Sequence, residues 1–334
     1  MNPRLKYHFE PQKGWINDPN GLVFFKGRYH AFFQHNPHSI HWDKMHWGHA
    51  VSDDLINWEE LPIALYPDKP YENSGGCFSG SAVVKDGRLY LFYTSVSDSL
   101  GQTQSLAYTD DGVTFTKYEG NPIISENPFG REYNTDFRDP KVSLIDGKYY
   151  MVVGTGINGE GKVLLFTSAD LISWEYSGFL FDAKEYTTVV ECPDFFKLDD
   201  KYVLMFSRLG TFNKGVTFVL GDFDGKTFTA ESVQFPESGP HFYAPQTFSD
   251  GKRRIIIGWL HYSWDTKTDA DEISIGAFTI PREITIKDGT LKMYPIKEAR
   301  HLLKDIGGNT EVLRDENCVE IFINKGEFTS TMRV

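Results

Sequence analysis

The sequence predicts an all-β chain: a five-bladed β-propeller over residues 1–295, then a short linker and one strand pair over residues 296–334. Two interleaved repeats carry that reading. The first is a turn: Lys26-Gly27-Arg28, Asp86-Gly87-Arg88, Asp146-Gly147-Lys148, Asp199-Asp200-Lys201 and Asp250-Gly251-Lys252. Asp-Gly between apolar runs is a strong hairpin signal, because Gly accepts the positive φ of a tight turn. Successive turns lie 60, 60, 53 and 51 residues apart. The second repeat is an Asp followed four residues later by an aromatic: Asp54/Trp58, Asp111/Phe115, Asp170/Trp174 and Asp224/Phe228, at intervals of 54 to 59. Hairpins alternating with these corners give about four strands per unit, and five hairpins give five blades. A large β-sandwich would not space its turns so regularly.

Counting back from each turn places a polar entrance ahead of each first strand. Asp18 lies nine residues before Gly27, Ser79 eight before Gly87, Asp139 eight before Gly147, Glu191 nine before Asp200 and Tyr243 eight before Gly251. If the strand after each entrance is the innermost of its blade, all five entrances converge on one end of the central channel. Three carboxylates, Asp18, Asp139 and Glu191, then face one another.

Two carboxyls flanking one bond are the minimum for glycoside hydrolysis, one attacking or activating water and the other protonating the leaving oxygen. Crowded like charges cannot all ionise, so one group keeps its proton near neutral pH. Arg138 favours an ionised Asp139 if it points the same way. Glu191, ahead of Cys192 and Pro193, sits in less polar company and is the better candidate for the protonated acid. Asp194 is expected to order the turn there.

Composition narrows the partners. With 40% hydrophobic and 24% charged residues the chain is an ordinary globular one, and a net charge of −12 argues against nucleic acid or anionic membrane. A neutral small molecule or oligosaccharide is the expected substrate. The three cysteines, Cys77, Cys192 and Cys318, form neither a disulfide framework nor a zinc pattern. His35, His38, His41, His46 and His49 crowd together, but nothing orders them on one face, so no metal and no cofactor is expected. Met1 to Gly14 holds no basic-then-apolar segment and no apolar run approaches the roughly 18 residues of a span. A cytoplasmic protein is expected.

The motifs Trp15-Ile16-Asn17-Asp18-Pro19-Asn20-Gly21, Phe78-Ser79-Gly80-Ser81, Arg138-Asp139-Pro140-Lys141 and Glu191-Cys192-Pro193 resemble the signatures of glycoside hydrolase family 32. These are the invertases, inulinases, levanases and sucrose-6-phosphate hydrolases. The resemblance extends to Trp47-Gly48-His49, Phe242-Tyr243-Ala244 and Pro281-Arg282-Glu283. It implies a five-bladed propeller and a retaining, double-displacement reaction releasing fructose from sucrose and short fructans. Sucrose-6-phosphate hydrolysis and a non-catalytic sugar-binding propeller are the alternatives.

By motif position, Asp18 would be the nucleophile, Glu191 the acid and base, and Asp139 the transition-state stabiliser with Arg138 beside it. Asn17, Gln34, Trp42, Phe78 and Ser79 would line the fructose pocket, and Trp259 or Trp264 would wall the neighbouring subsite. The acidic run from Asp265 to Glu272 reads as a solvated loop. The family normally continues into a β-sandwich; here a short helical linker, Ile296 to Lys304, leads to strands Cys318 to Ile323 and Glu327 to Arg333, a truncated remnant of that sandwich. A two-stranded remnant needs a partner surface, so a homo-oligomer through the C-terminal strands is one expectation.

Overall fold

The computed structural model describes residues 4–130, 136–210, 214–261 and 273–334. Five antiparallel sheets stand around a central axis as the blades of a propeller, and a sixth sheet closes the chain. The innermost strands are Gly14–Phe25, Gly76–Lys85, Phe137–Ile145, Val189–Leu198 and Phe242–Ser249. Each lies against the next, and the fifth lies against the first, so they form a ring. Ser274–Ile275, from the blade-five connection, pairs in parallel with Gly14 and Trp15 and bonds the last blade to the first.

The two repeats have distinct physical jobs. Lys26-Gly27, Asp86-Gly87 and Asp146-Gly147 are two-residue hairpin loops with both residues at positive φ, as the strand twist requires. At the corners the Asp side chain builds the turn: Asp170 Oδ1 accepts from the backbone of Ile172 and Ser173, both at 2.8 Å. Asp54, Asp111 and Asp224 repeat this. The next residue, Leu55, Gly112, Leu171 or Gly225, sits at positive φ in every case. The aromatic then closes the corner, with Trp58 and Trp174 donating Nε1–H to the carbonyls of Leu55 and Leu171.

Apolar side chains fill the five wedges between blades. Phe32, Trp47 and Leu91 pack between blades one and two, and Phe92, Val142 and Met151 between two and three. Val152, Phe195 and Leu204 follow, then Phe196, Met205 and Ile256. Ile16, Phe33 and Phe248 close the ring. Polar ties cross the centre as well. Asp194 does not order a turn. It lies within the blade-four inner strand, fully buried, where Oδ2 accepts from Thr247 N at 2.7 Å and pairs with Lys141 Nζ at 3.1 Å, joining blades three, four and five.

The C-terminal segment corrects the sequence reading. A 3-10 helix, Lys297–Leu302, leads into four strands rather than two: Lys304–Gly307, Thr310–Asp315, Cys318–Ile323 and Phe328–Arg333. The extra pair is short and charged, and turns at Gly308-Asn309, both at positive φ. The sheet packs on the propeller through Leu313 and Phe322 beside Phe9 and Ile296. Arg282, fully buried, donates to Glu237 at 2.7 Å and to Glu320 at 2.8 Å. His8 bridges Asp315 at 2.9 Å and Glu320 at 3.0 Å. Burial alone would raise the Glu320 carboxyl; Arg282 and His8 instead pull it down to about 2.

Truncating Arg282 removes the cation shared by two buried carboxylates and leaves Glu320 to its pair with His8. Arg282→Ala is expected to destabilise the chain by about 3–5 kcal/mol, read as a lowered urea midpoint at pH 7; an unchanged midpoint would contradict the assigned role of this pair.

Candidate active site

All five inner strands break register at one level, between Ile16 and Pro19, Phe78 and Gly80, Arg138 and Lys141, Glu191 and Asp194, and Tyr243 and Gln246. A strand normally turns successive side chains to opposite faces, but a bulge re-aims them. Neighbouring pairs Asn17 and Asp18, Phe78 and Ser79, and Arg138 and Asp139 therefore all reach one cavity. Asp139, Cys192 and Ala244, each followed by proline, take φ of 65°, 45° and 45°, a region costly for side-chain-bearing residues. In blade two the bulge needs Gly80, since a Cβ there would stand 1.9 Å from the Phe92 carbonyl oxygen.

Aligning these motifs on their prolines refines the sequence count. Glu191 then stands with Asn17, Arg138 and Tyr243, one place before the level of Asp18 and Asp139. An ordinary strand would have sent one of the two levels away from the axis. The bulges bring both in.

The cavity, of about 360 Å³, holds Asp18, Asp139 and Glu191 together with Asn17, Gln34, Trp42, Phe78, Ser79, Arg138 and Trp259. Trp15, Gln102, Asp136 and Tyr243 also line it and were not singled out as site residues from sequence. Trp15 and Tyr243 lie in the opening stretch and the fifth entrance, so position in the repeat already marked them. Asp136, two places before Arg138, follows from strand alternation; Gln102, on the third strand of blade two, left no signal. Trp264 and the acidic run 265–272 lie outside the described residues.

Asp18 accepts from Ser79 Oγ at 2.6 Å and Asn17 Nδ2 at 3.0 Å, with the Cys192 thiol 3.5 Å away. Burial raises its carboxyl above the usual range against those bonds, and the charge of Glu191 adds to the rise. Asp139 accepts from the Cys192 backbone N–H at 2.8 Å. Burial pushes it up to about 7, with Glu191 and Asp18 adding and Arg138 opposing. Arg138 does favour an ionised Asp139 through its charge, although its guanidinium makes its direct ion pairs with Asp136 and, at 3.0 Å, with Glu191. Glu191 is likewise in polar company, because Tyr243 O–H donates to its other oxygen at 2.7 Å. Burial and the neighbouring carboxylate keep that phenol protonated.

Around the acids, Gln34 is fixed through Cys77 O at 2.8 Å, Trp259 meets Trp15 edge-on at 5.8 Å, and Trp42, 54% exposed, stands at the mouth against Phe78. Of the crowded histidines, His35, His46 and His49 lie on blade-one strands: His35 bonds Trp15 O, and His49 stacks on His30 and Phe32. His38 and His41 are exposed on the loop between those strands. Among the described residues no group of three or more His, Cys, Asp or Glu is arranged to hold a metal ion.

Such a site can attack with one carboxyl, transfer a proton with a second and hold a polar ring with the third, in a cavity of small-molecule size. Its assembly also costs stability. An acid raised from 3.8 to about 7 binds more protons folded than unfolded between those values, so stability falls as pH rises through that window. Asp139→Asn is expected to raise the melting temperature at pH 8 and to leave it nearly unchanged at pH 4; a lower melting temperature at pH 8 would contradict the assigned cost.

Comparison with known proteins shows the family and the fold. The model of the glycosyl hydrolases family 32 N-terminal domain matches residues 8–295. The sucrose-6-phosphate hydrolase of Escherichia coli is 39% identical over 318 residues, covering 89% of this chain and 65% of that protein. The levanase of Bacillus subtilis is 39% identical over 333 residues, covering 88% of this chain and 47% of that protein. The chain thus spans less than two thirds of the length of these curated relatives. Among solved structures, a Bombyx mori β-fructofuranosidase superposes with a TM-score of 0.89 at 28% identity, covering 99% of this chain and 89% of that one. The extent of the domain match places this chain in glycosyl hydrolase family 32.

Proposed function

We propose that the cavity hydrolyses β-D-fructofuranosides with retention, releasing fructose from the non-reducing end of sucrose and short fructans. The observation that carries this reading is the meeting of Asp18, Asp139 and Glu191 in one cavity. Asp18 attacks the anomeric carbon while Glu191 gives its proton to the departing oxygen. The fructosyl ester on Asp18 is then attacked by water, whose proton returns to Glu191. Ser79 and Asn17 hold the Asp18 carboxylate in one orientation. Asp139 contacts the fructose hydroxyls, and the exposed ring of Trp42 meets the sugar at the mouth.

Sucrose-6-phosphate hydrolysis is the second reading, because relatives carry that name. The described lining residues weigh against it. Asp18, Asp136, Asp139 and Glu191 are acids, Arg138 is the single Lys or Arg among them, and it is already shared between two carboxylates. A phosphate dianion would enter a field of its own sign. Association of copies through the C-terminal sheet is also proposed, on the exposure of Ile306 and Phe328, and a native mass of twice the chain would support it.

A product time course decides the main reading. Sucrose, short inulin and levan oligomers are expected to yield fructose, with kcat/KM higher for sucrose than for sucrose 6-phosphate. Asp18→Asn is expected to lower kcat on the order of 10³-fold or more. Sugar binding by calorimetry without any turnover would overturn the enzyme reading in favour of a sugar-binding propeller.

A further inference from the structure

Asp136 stands at the cavity rim, just ahead of the blade-three inner strand, with its side chain 27% exposed. Arg138 Nη1 donates to Asp136 Oδ1, while Nη2 donates to Glu191 Oε1 at 3.0 Å. Gln102 Oε1 accepts from the Phe137 backbone N–H at 2.7 Å and lies 3.4 Å from Arg138 Nη1, so the fork is fixed from both sides. One guanidinium therefore serves two carboxylates, one at the rim and one at the reacting bond. A cation dedicated to an acid–base carboxyl would be a handicap, since it favours the ionised form when a proton must be delivered.

We propose that Asp136 is a positioning residue of this site: it holds the Arg138 fork in place and shares its charge, so that Glu191 keeps its proton to higher pH. The assignment rests on Glu191 being the acid and base of fructoside hydrolysis. The other groups facing Glu191 all leave room for this control. Asp18 and Asp139 are acids, Tyr243 stays a phenol and Cys192 a thiol, each for reasons of burial first. Arg138 is the one Lys or Arg among the described lining residues; Asp139 feels its charge, and Asp136 is the carboxylate that shares its guanidinium hydrogen bonds with Glu191.

The test is the pH profile of kcat/KM on sucrose for wild type, Asp136→Asn and Asp136→Glu. Removing the rim charge turns more of Arg138's charge to Glu191, so the alkaline limb of Asp136→Asn is expected to move to lower pH by roughly 0.5–1 unit, with kcat falling more than KM changes. Asp136→Glu restores the negative charge and is expected to bring the limb back toward wild type. Equal losses at every pH, or an unmoved limb, would overturn the proposal.

A wild type without fructoside hydrolysis would sink the functional reading instead. In that event carboxyl-carbon NMR decides the assignment without turnover. The resonance absent from Glu191→Gln is followed against pH in wild type and Asp136→Asn. A lower inflection in the variant supports the shared fork, and an identical one refutes it.

Discussion

Three carboxyls crowded into one another's fields at the end of the central channel form the constraint on which the rest of this propeller depends. Removing an acid from water disfavours its charged form, and each neighbouring negative charge disfavours it further. Burial is accordingly the largest cause acting on both Asp18 and Asp139. The chain holds this arrangement through backbone geometry. Every inner strand is bulged at the same level, three residues there take positive φ, and prolines follow them. The strain and the crowded charge are borne by the closed ring of inner strands and by five apolar wedges that take no part in the chemistry.

Beneath the acids the centre is tied by a second layer of buried polar contacts. Asp194 joins Thr247 and Lys141 across three blades, and Gln246 reaches the Gly80 carbonyl at 2.8 Å. These bonds fix the relative height of the inner strands, which in turn fixes how far apart the entrance side chains stand. At the periphery the C-terminal sheet is anchored differently, by Arg282 and His8 against Asp315, Glu237 and Glu320. Geometry at the site and attachment of the last sheet thus rest on separate ionic groups, so damage to one need not reach the other.

Much of this was legible from residues alone, and the misses have physical causes. Turn chemistry is local, so Asp-Gly pairs and Asp-to-aromatic corners announced the blades, and counting from them found the entrances. Electrostatic partners are not local. Arg138 is adjacent to Asp139 in sequence, yet its fork turns to Asp136 and to Glu191 on the next blade, a choice set by strand direction. Glu191 appeared to have apolar neighbours because its polar partners, Arg138 and Tyr243, come from blades three and five. Gln102 reaches the cavity from a third strand that carries no motif. The two extra C-terminal strands were hidden by their charge and by a glycine turn. Asp194 looked like a turn residue because its partners lie some fifty residues away in either direction.

The central claim is that Asp18 carries the sugar during the reaction, and trapping that species tests it most directly. Glu191→Ala is incubated with β-fructosyl fluoride, whose leaving group needs no acid, so that attack proceeds while hydrolysis lacks its base. Peptide mass analysis after an acid quench is expected to find one fructosyl unit on the peptide holding Asp18. An adduct on a different residue, or no adduct with α-fructose as the first product, would contradict the account.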